Sequence, residues 1–241
     1  MTRRHQLLLL AGVGVVAYLL VRNGRVSDDT AYLVGALVLS VILHEVSHGA
    51  LALVFGDDTA KRAGRLTLNP IPHVDPVGTV FLPVALAIAT AGQSAFGYAK
   101  PVPVDPRRMR SPRNHSLLVS LVGPSVNIAL AVLAALLFRA TEGSVDAVFL
   151  DMDTGFEARG LEYFLFSLGW VNVILAVFNL IPIPPLDGSA VLERFLRPRH
   201  WEPYLRFRAY APGLVLALVL LFPQVLDRIF TPALELWGRL L

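Results

Sequence analysis

Long apolar stretches dominate this chain and constrain what it can fold into. The hydrocarbon core of a bilayer is about 30 Å thick, and a helix of about 20 apolar residues crosses it. Hydrophobic residues make up 55% of the 241-residue chain and the mean hydropathy is +0.60, both unusual for a soluble domain. The sequence therefore predicts an all-α polytopic membrane protein. The predicted spans are residues 6–22, 31–55, 116–138 and 161–181, with a shorter one at 209–222.

The charges between these stretches predict their orientation. Cytoplasmic loops of membrane proteins carry an excess of Lys and Arg. Basic residues cluster at 61–65, 100–113 and 194–208, whereas residues 141–160 carry five acidic side chains and a single arginine. We therefore expect a multi-pass protein of the cell (plasma) membrane, with the basic loops in the cytoplasm and the acidic loop outside.

Residues 77–99 are apolar but do not fit a span. Proline and glycine interrupt them, and a crossing here would place the basic segment 100–113 outside the cell. A re-entrant or membrane-edge hairpin satisfies both observations. Extended segments at 65–70 and 98–104 are expected to form short cytoplasmic strands. The whole then contains about five to six transmembrane helices in a single domain, residues 1–241.

One predicted span carries a metal-binding pattern, His44-Glu45-Val46-Ser47-His48. Histidines four residues apart share one face of a helix, so the two imidazoles can clamp a metal. Glu45 is rotated by about 100° from His44, which lets it reach a water at the metal without being a ligand, as a general base does. A charged residue at mid-span costs about 3 kcal/mol. Three ionisable residues in one span therefore favour function over the alternative, polar side chains at a helix packing seam.

Two histidines leave a tetrahedral zinc site one protein ligand short, with a further position open for water. The chain has no cysteine, so the third ligand is expected to be a carboxylate. Asp187 is the best candidate, because the prolines before it break the helix just past the 161–181 span, at the end where the span with the histidines also finishes. The alternative is that Leu186-Asp187-Gly188 is only a turn.

Together these motifs resemble a known family. The histidine motif at 44–48, combined with Pro184-Pro185-Leu186-Asp187-Gly188, resembles the site-2 protease family of intramembrane metalloproteases. A PDZ-like insert and a CBS-type pair, which larger relatives carry, are missing from the sequence. The segments that resemble a compact bacterial branch of the family are 64–70, 73–78, 98–104 and 123–127.

The resemblance implies roles for individual residues. It implies zinc, one ion per chain, bound by His44, His48 and Asp187, with Glu45 as the catalytic base. It also implies membrane-spanning protein substrates and a site within the bilayer, toward the cytoplasm.

Two asparagines also match the family pattern. Residues that correspond to Asn127 and Asn179 lie near the site in that family, where they support substrate or the developing oxyanion. An amide between helices can equally serve as an interhelical hydrogen-bonding group, and the sequence leaves both roles open.

His73 and Asp75 form a second small group, between Pro72 and Pro76. They can ligate a second metal. The interpretation that we favour is that they hydrogen-bond backbone groups in a proline-rich turn, or help to position the active-site loop.

The function predicted from the sequence is zinc-dependent hydrolysis of peptide bonds in or near transmembrane segments. Its main alternative is a polytopic membrane transporter or binding protein for metal ions, because carriers also place His, Asp and Glu beside broken helices. A catalytically inactive membrane scaffold is the third interpretation. The expected partners are a membrane-spanning protein substrate and the lipid bilayer. The net charge of only +3 argues against nucleic acid, and the oligomeric state is left open.

Overall fold

The computed structural model describes residues 28–82, 85–86, 97–141 and 160–241. Within these residues the chain is helical and contains seven α-helices. Single turns of 3-10 helix lie at Ile71–His73, Pro106–Arg108 and Pro198–His200, and a π-helix covers Pro76–Phe81. The α-helices are α1 (Asp28–Val54), α2 (Thr59–Arg62), α3 (Pro112–Ala140), α4 (Gly160–Asn179), α5 (Ser189–Phe195), α6 (Trp201–Leu221) and α7 (Pro223–Gly238).

Four of the described helices are long and apolar enough to cross a membrane. Three of them, α1, α3 and α4, coincide with the spans predicted at 31–55, 116–138 and 161–181. The predicted first span, 6–22, lies outside the described residues. Most of the predicted re-entrant segment, 77–99, lies outside them as well, and its path stays a prediction.

The span predicted at 209–222 is longer than the sequence indicated, because α6 begins at Trp201. Its first turns are polar and carry ion pairs. Arg206 pairs with Glu202 one turn away, at 2.5 Å, and Arg208 reaches Glu193 at 3.4 Å. Pro212 lies within the helix without ending it.

The short strands predicted at 65–70 and 98–104 are wrong for the part of the chain that the structure describes, where neither segment forms a strand. Pro101 and Pro103 have no N–H to donate to a ladder. A side chain joins the two segments instead, since the Arg65 guanidinium donates to the Lys100 carbonyl at 2.5 Å.

The centre of the fold is the packing of α1, α3 and α4 against one another. Small residues at their contacts let the helices approach closely, as in other membrane proteins. Ala36 of α1, Ala134 of α3 and Leu168 of α4 form one buried cluster. At the other end of the chain, α7 inserts the Trp237 ring against Gly169, where an added Cβ would lie only 2.1 Å from the ring.

Candidate metal centre

Helix α1 supplies two histidines from consecutive turns. The Nε2 atoms of His44 and His48 lie 3.1 Å apart, and both side chains are buried. Helix α3 packs directly over the rings at Gly123, where a Cβ would lie 2.5 Å from the Nε2 atom of His48 and 2.6 Å from the Cε1 atom of His44. The absence of a side chain at position 123 therefore gives the two imidazoles their room.

The turn after α4 brings Asp187 to these histidines. The Gly188 N–H donates to the Asn179 carbonyl at 2.6 Å, which folds the chain back onto the end of α4. Gly188 itself is confined, since a Cβ there would meet the Leu180 carbonyl oxygen at 2.2 Å. As a result the Asp187 Oδ2 atom lies 3.1 Å from His44 Nε2 and 3.4 Å from His48 Nε2.

The remaining ring nitrogens define the tautomers of both histidines. His44 Nδ1 lies 2.5 Å from the Asn127 side-chain oxygen, and His48 Nδ1 lies 2.6 Å from the Val119 carbonyl oxygen. Oxygen acceptors require a proton on each Nδ1, so in the neutral imidazole each Nε2 presents a lone pair. Asp187 Oδ2 is buried and has no hydrogen-bond partner. In the neutral form of both histidines, three potential ligand atoms therefore converge on one place.

This arrangement fits a zinc ion. Zinc bonds of about 2.0 to 2.1 Å in a tetrahedral site place neighbouring ligand atoms about 3.3 Å apart. The three separations here are 3.1, 3.1 and 3.4 Å. A single cation can bind all three atoms at once. Among the described residues, the group of three potential ligands that can hold a metal is His44, His48 and Asp187.

Glu45 lies beside this group and is not part of it. Its Oε2 atom accepts a hydrogen bond of 2.7 Å from the Val102 N–H. Val102 stands between Pro101 and Pro103, which fix the backbone on either side and leave its N–H as the donor of this tripeptide. The 98–104 segment therefore holds the Glu45 carboxylate through a backbone hydrogen bond.

The two asparagines singled out from the sequence have different surroundings. Asn127 is fully buried, and both ends of its amide are engaged: the oxygen by His44 and the nitrogen by the Asn172 side-chain oxygen, at 2.6 Å. The Asn179 nitrogen donates to the Leu175 carbonyl of its own helix. Asn127 thus contacts a potential metal ligand, whereas Asn179 holds the turn that carries Asp187.

Sequence reasoning missed Ser40 and Asn172, which are also fully buried. Asn172 donates to the Ser40 hydroxyl and to the Leu168 carbonyl, both at 2.7 Å. A signal was available: Asn172 precedes Asn179 by seven residues, about two helical turns, so it lies on the same face of α4.

The second small group lies apart from the centre and follows the interpretation that we favoured. His73 Nε2 donates to the Thr67 carbonyl at 3.0 Å, and Asp75 accepts hydrogen bonds from the N–H groups of Val77 and Gly78 at the start of the π-helix. Both side chains therefore organise a turn.

A buried carboxylate supports the loop beneath α1. Asp57 accepts hydrogen bonds from the Thr59 hydroxyl and amide and from the Asp105 amide, and Arg108 lies 3.8 Å away. Burial alone would raise the pKa of Asp57, but these donors outweigh it and hold the pKa below its ordinary value. The charged side chain therefore ties the end of α1 to the loop before α3.

Comparison with known proteins identifies the fold family that carries this site. The family model of peptidase family M50 matches residues 32–222. That range contains all three potential ligands and Glu45. The chain belongs to peptidase family M50.

Curated relatives agree with this assignment. A Bacillus subtilis protein named "Putative zinc metalloprotease YwhC" is 38% identical over 206 residues, which cover 85% of this chain and 86% of the relative. A Mycolicibacterium smegmatis protein named "Putative zinc metalloprotease Rip2" is 36% identical over 197 residues, 80% of this chain and 67% of the relative. No solved structure matches the chain.

Family membership and the four membrane-capable helices establish the general activity. The chain is a multi-pass membrane protein and an intramembrane zinc metalloprotease. This decides against a metal-ion transporter, the main alternative left by the sequence. The His-His-Asp group provides a place for the zinc.

Proposed function

We propose that the protease binds one zinc ion through His44, His48 and Asp187 and hydrolyses peptide bonds in or beside the transmembrane segments of membrane proteins. Residues 1–241 act in this proposal as one intramembrane domain. The basic loop that follows α1 supports a site on the cytoplasmic side of the plasma membrane, because cytoplasmic loops are enriched in Lys and Arg.

One observation carries the assignment of the ligands. The Nε2 atoms of two histidines and one carboxylate oxygen lie within 3.4 Å of one another in a buried place, and the carboxylate oxygen has no hydrogen-bond partner. Buried acceptors without a donor are costly, and a bound cation relieves that cost.

Zinc held by these residues would supply Lewis acidity, which lowers the pKa of a water so that it can lose a proton near neutral pH and attack a carbonyl. Glu45 takes the proton of the attacking water and returns it to the leaving amine. The Val102 N–H occupies Oε2, so we assign the proton transfers to Oε1. The 98–104 segment then holds the Glu45 carboxylate in place through Oε2, while Oε1 transfers the protons.

A substrate helix must unwind locally, because its carbonyls are engaged in helical hydrogen bonds. An extended substrate can be held by pairing with an exposed edge. Segment 98–104 is a poor partner, since the N–H groups of Tyr98, Lys100 and Val102 already donate within the protein. We therefore assign any such pairing to the 65–70 segment.

The decisive variant is Glu45→Gln, which keeps the shape of the side chain and removes its basicity. We expect normal zinc content and a loss of cleavage of at least about 100-fold. Comparing membrane-protein fragments by proteomics in cells with wild type or Glu45→Gln measures the loss and finds the substrates. Unchanged fragment patterns, or cleavage by the purified variant at the wild-type rate, would overturn the proposal.

A further inference from the structure

A series of buried polar side chains lies between the spanning helices and has no part in the proposed catalytic steps. Ser40 of α1, Asn127 of α3 and Asn172 of α4 are each fully buried. Hydrogen bonds link them in series and end at His44: Asn172 to Ser40 at 2.7 Å, Asn127 to Asn172 at 2.6 Å, and His44 to Asn127 at 2.5 Å. We call this series the amide relay.

The relay has a direction, which backbone carbonyls impose. A carbonyl oxygen can only accept, so the Leu168 carbonyl requires the nitrogen of the Asn172 amide to face it. Ser40 donates its own proton to the Ala36 carbonyl and therefore accepts from the same nitrogen. The Asn172 oxygen must then point the other way, toward Asn127.

The orientation of Asn172 fixes that of Asn127 and, through it, the tautomer of His44. Facing the Asn172 oxygen, Asn127 must present its nitrogen, which turns its own oxygen toward His44. That oxygen requires the proton of His44 on Nδ1, which leaves the Nε2 lone pair directed at His48 and Asp187. An amide in the opposite orientation would place two acceptors, or two donors, face to face at hydrogen-bonding distance.

We propose that Asn172, assisted by Ser40, is a positioning residue that sets the tautomer of His44 by orienting the Asn127 amide. The inference rests on the proposed function, since it takes His44 as a zinc ligand. Asn172 itself contacts neither His44 nor the zinc in this proposal. Its contribution is to fix which end of Asn127 faces the imidazole.

The primary test is the zinc affinity of the purified protein in detergent micelles, measured by chelator competition. Asn172→Leu keeps a similar volume and removes the orienting groups. Loss of a partner behind a ligand costs about 10- to 100-fold in metal affinity, and we expect about tenfold here, because Asn127 can still rotate into place part of the time. Visible spectra of the cobalt-substituted protein report the ligand geometry independently of activity.

A second substitution that restores zinc affinity distinguishes a role of Asn172 in orienting Asn127 from a role in packing alone. A carboxylate has two acceptor ends and needs no orienting, so Asp at position 127 accepts from His44 without help from residue 172. The double variant Asn127→Asp/Asn172→Leu should recover zinc affinity to within about threefold of wild type. Asn127→Asp alone should bind zinc less tightly than the double variant, because its second oxygen then faces the Asn172 oxygen.

A pair of serines provides the matched control. Ser40 and Ser167 are both buried serines on spanning helices, but only Ser40 belongs to the amide relay. Ser40→Ala should weaken zinc binding about twofold, since Asn172 keeps its bond to Leu168, and Ser167→Ala should leave it unchanged. Ser40→Ala also keeps the proposal testable if Asn172→Leu fails to fold.

Two results would overturn the inference: zinc affinity unchanged in both Asn172→Leu and Ser40→Ala, or a double variant that binds zinc no better than Asn172→Leu. Failure of the proposed function looks different. In that case wild-type protein would lack zinc, or His44→Ala would bind it as well as wild type does.

Discussion

The three helices that carry the metal centre and the two helices at the carboxyl end of the chain use the membrane in different ways. About 50% of the hydrophobic window of α4 is buried inside the protein, against 17% for α6. Polar side chains follow the same division. Ser40, Asn127 and Asn172 are buried between α1, α3 and α4, whereas Glu202 and Arg206 of α6 form an exposed ion pair.

The two regions are under different constraints: hydrogen bonding between side chains constrains the sequence of α1, α3 and α4, and the apolar surroundings constrain that of α6. A polar group inside the bundle has no water or lipid headgroup to bond, so each one needs a partner of defined direction. Most of α6 meets only the requirement of being apolar and helical. We therefore expect substitutions of the buried polar residues that bond one another between α1, α3 and α4 to affect zinc binding, and substitutions in α6 to leave it unchanged.

The largest expected effect comes from removing the ligand outside the spans. Asp187→Ala leaves the two histidines without a third protein ligand, and zinc affinity should fall by more than about 100-fold, beyond the usual cost of losing an outer partner. Zinc content after dialysis against a weak chelator measures it. Asp75→Ala removes a carboxylate that caps the π-helix and should retain zinc. Equal zinc content in both variants would contradict the ligand assignment.

A pair of glycine substitutions compares the two regions directly. In Gly123→Ala the new Cβ would lie 2.5 Å from His48 Nε2, so α3 or the rings must shift. In Gly213→Ala, on α6, it would meet nothing within 4 Å. We expect the first to lower zinc affinity about 10-fold or more. The second should keep zinc binding and gain up to about 1 kcal/mol of helix stability.

Chelator competition on both glycine variants measures zinc affinity, and thermal unfolding of both measures stability. If Gly123→Ala bound zinc like wild type, the close packing of α3 over the rings would not matter for the site. If Gly213→Ala lost zinc, the two regions would be coupled and the contrast between them would be wrong.

Much of the site was accessible from the sequence because its elements are local. His44, Glu45 and His48 are one helical turn, and their spacing alone defines a shared face. Asp187 was accessible for a different reason: prolines end α4 nearby, and the charges of the loops indicate which ends of the spans lie together. Three of the spans were recovered because apolar length is a direct requirement of the bilayer.

What the sequence did not indicate depends on tertiary contacts. Nothing local to Asn172 indicates that its amide is oriented by Leu168 and passes that orientation to Asn127. The strands at 65–70 and 98–104 were predicted from extended backbone, but strand formation needs free N–H groups at matching positions, and Pro101 and Pro103 remove them. The start of α6 was missed because its first turns, which include Arg206 and Arg208, are polar and lie before the apolar run that defined the predicted span.

The smallest expected effect on the site comes from the contact that joins the two regions. Trp237 of α7 donates from its ring nitrogen to the Ala131 carbonyl at 2.9 Å and packs in a buried cluster with Ala131, Ala135 and Val173. Trp237→Ala should cost about 3 kcal/mol of stability, as large-to-small changes in a core do. Zinc affinity should stay within about twofold of the wild-type value, because Trp237 does not contact His44, His48 or Asp187.

The matched control is Trp170→Ala, which removes a partly exposed tryptophan from α4. It should unfold close to the wild-type temperature, while Trp237→Ala unfolds clearly below it and both keep zinc at 25 °C. Zinc loss in Trp237→Ala at a temperature where the protein is still folded would show that the packing of α7 sets the geometry of the metal centre. The carboxyl-terminal helices would then be part of the catalytic machinery, since Trp237 reaches α3 at Ala131, one helical turn beyond Asn127.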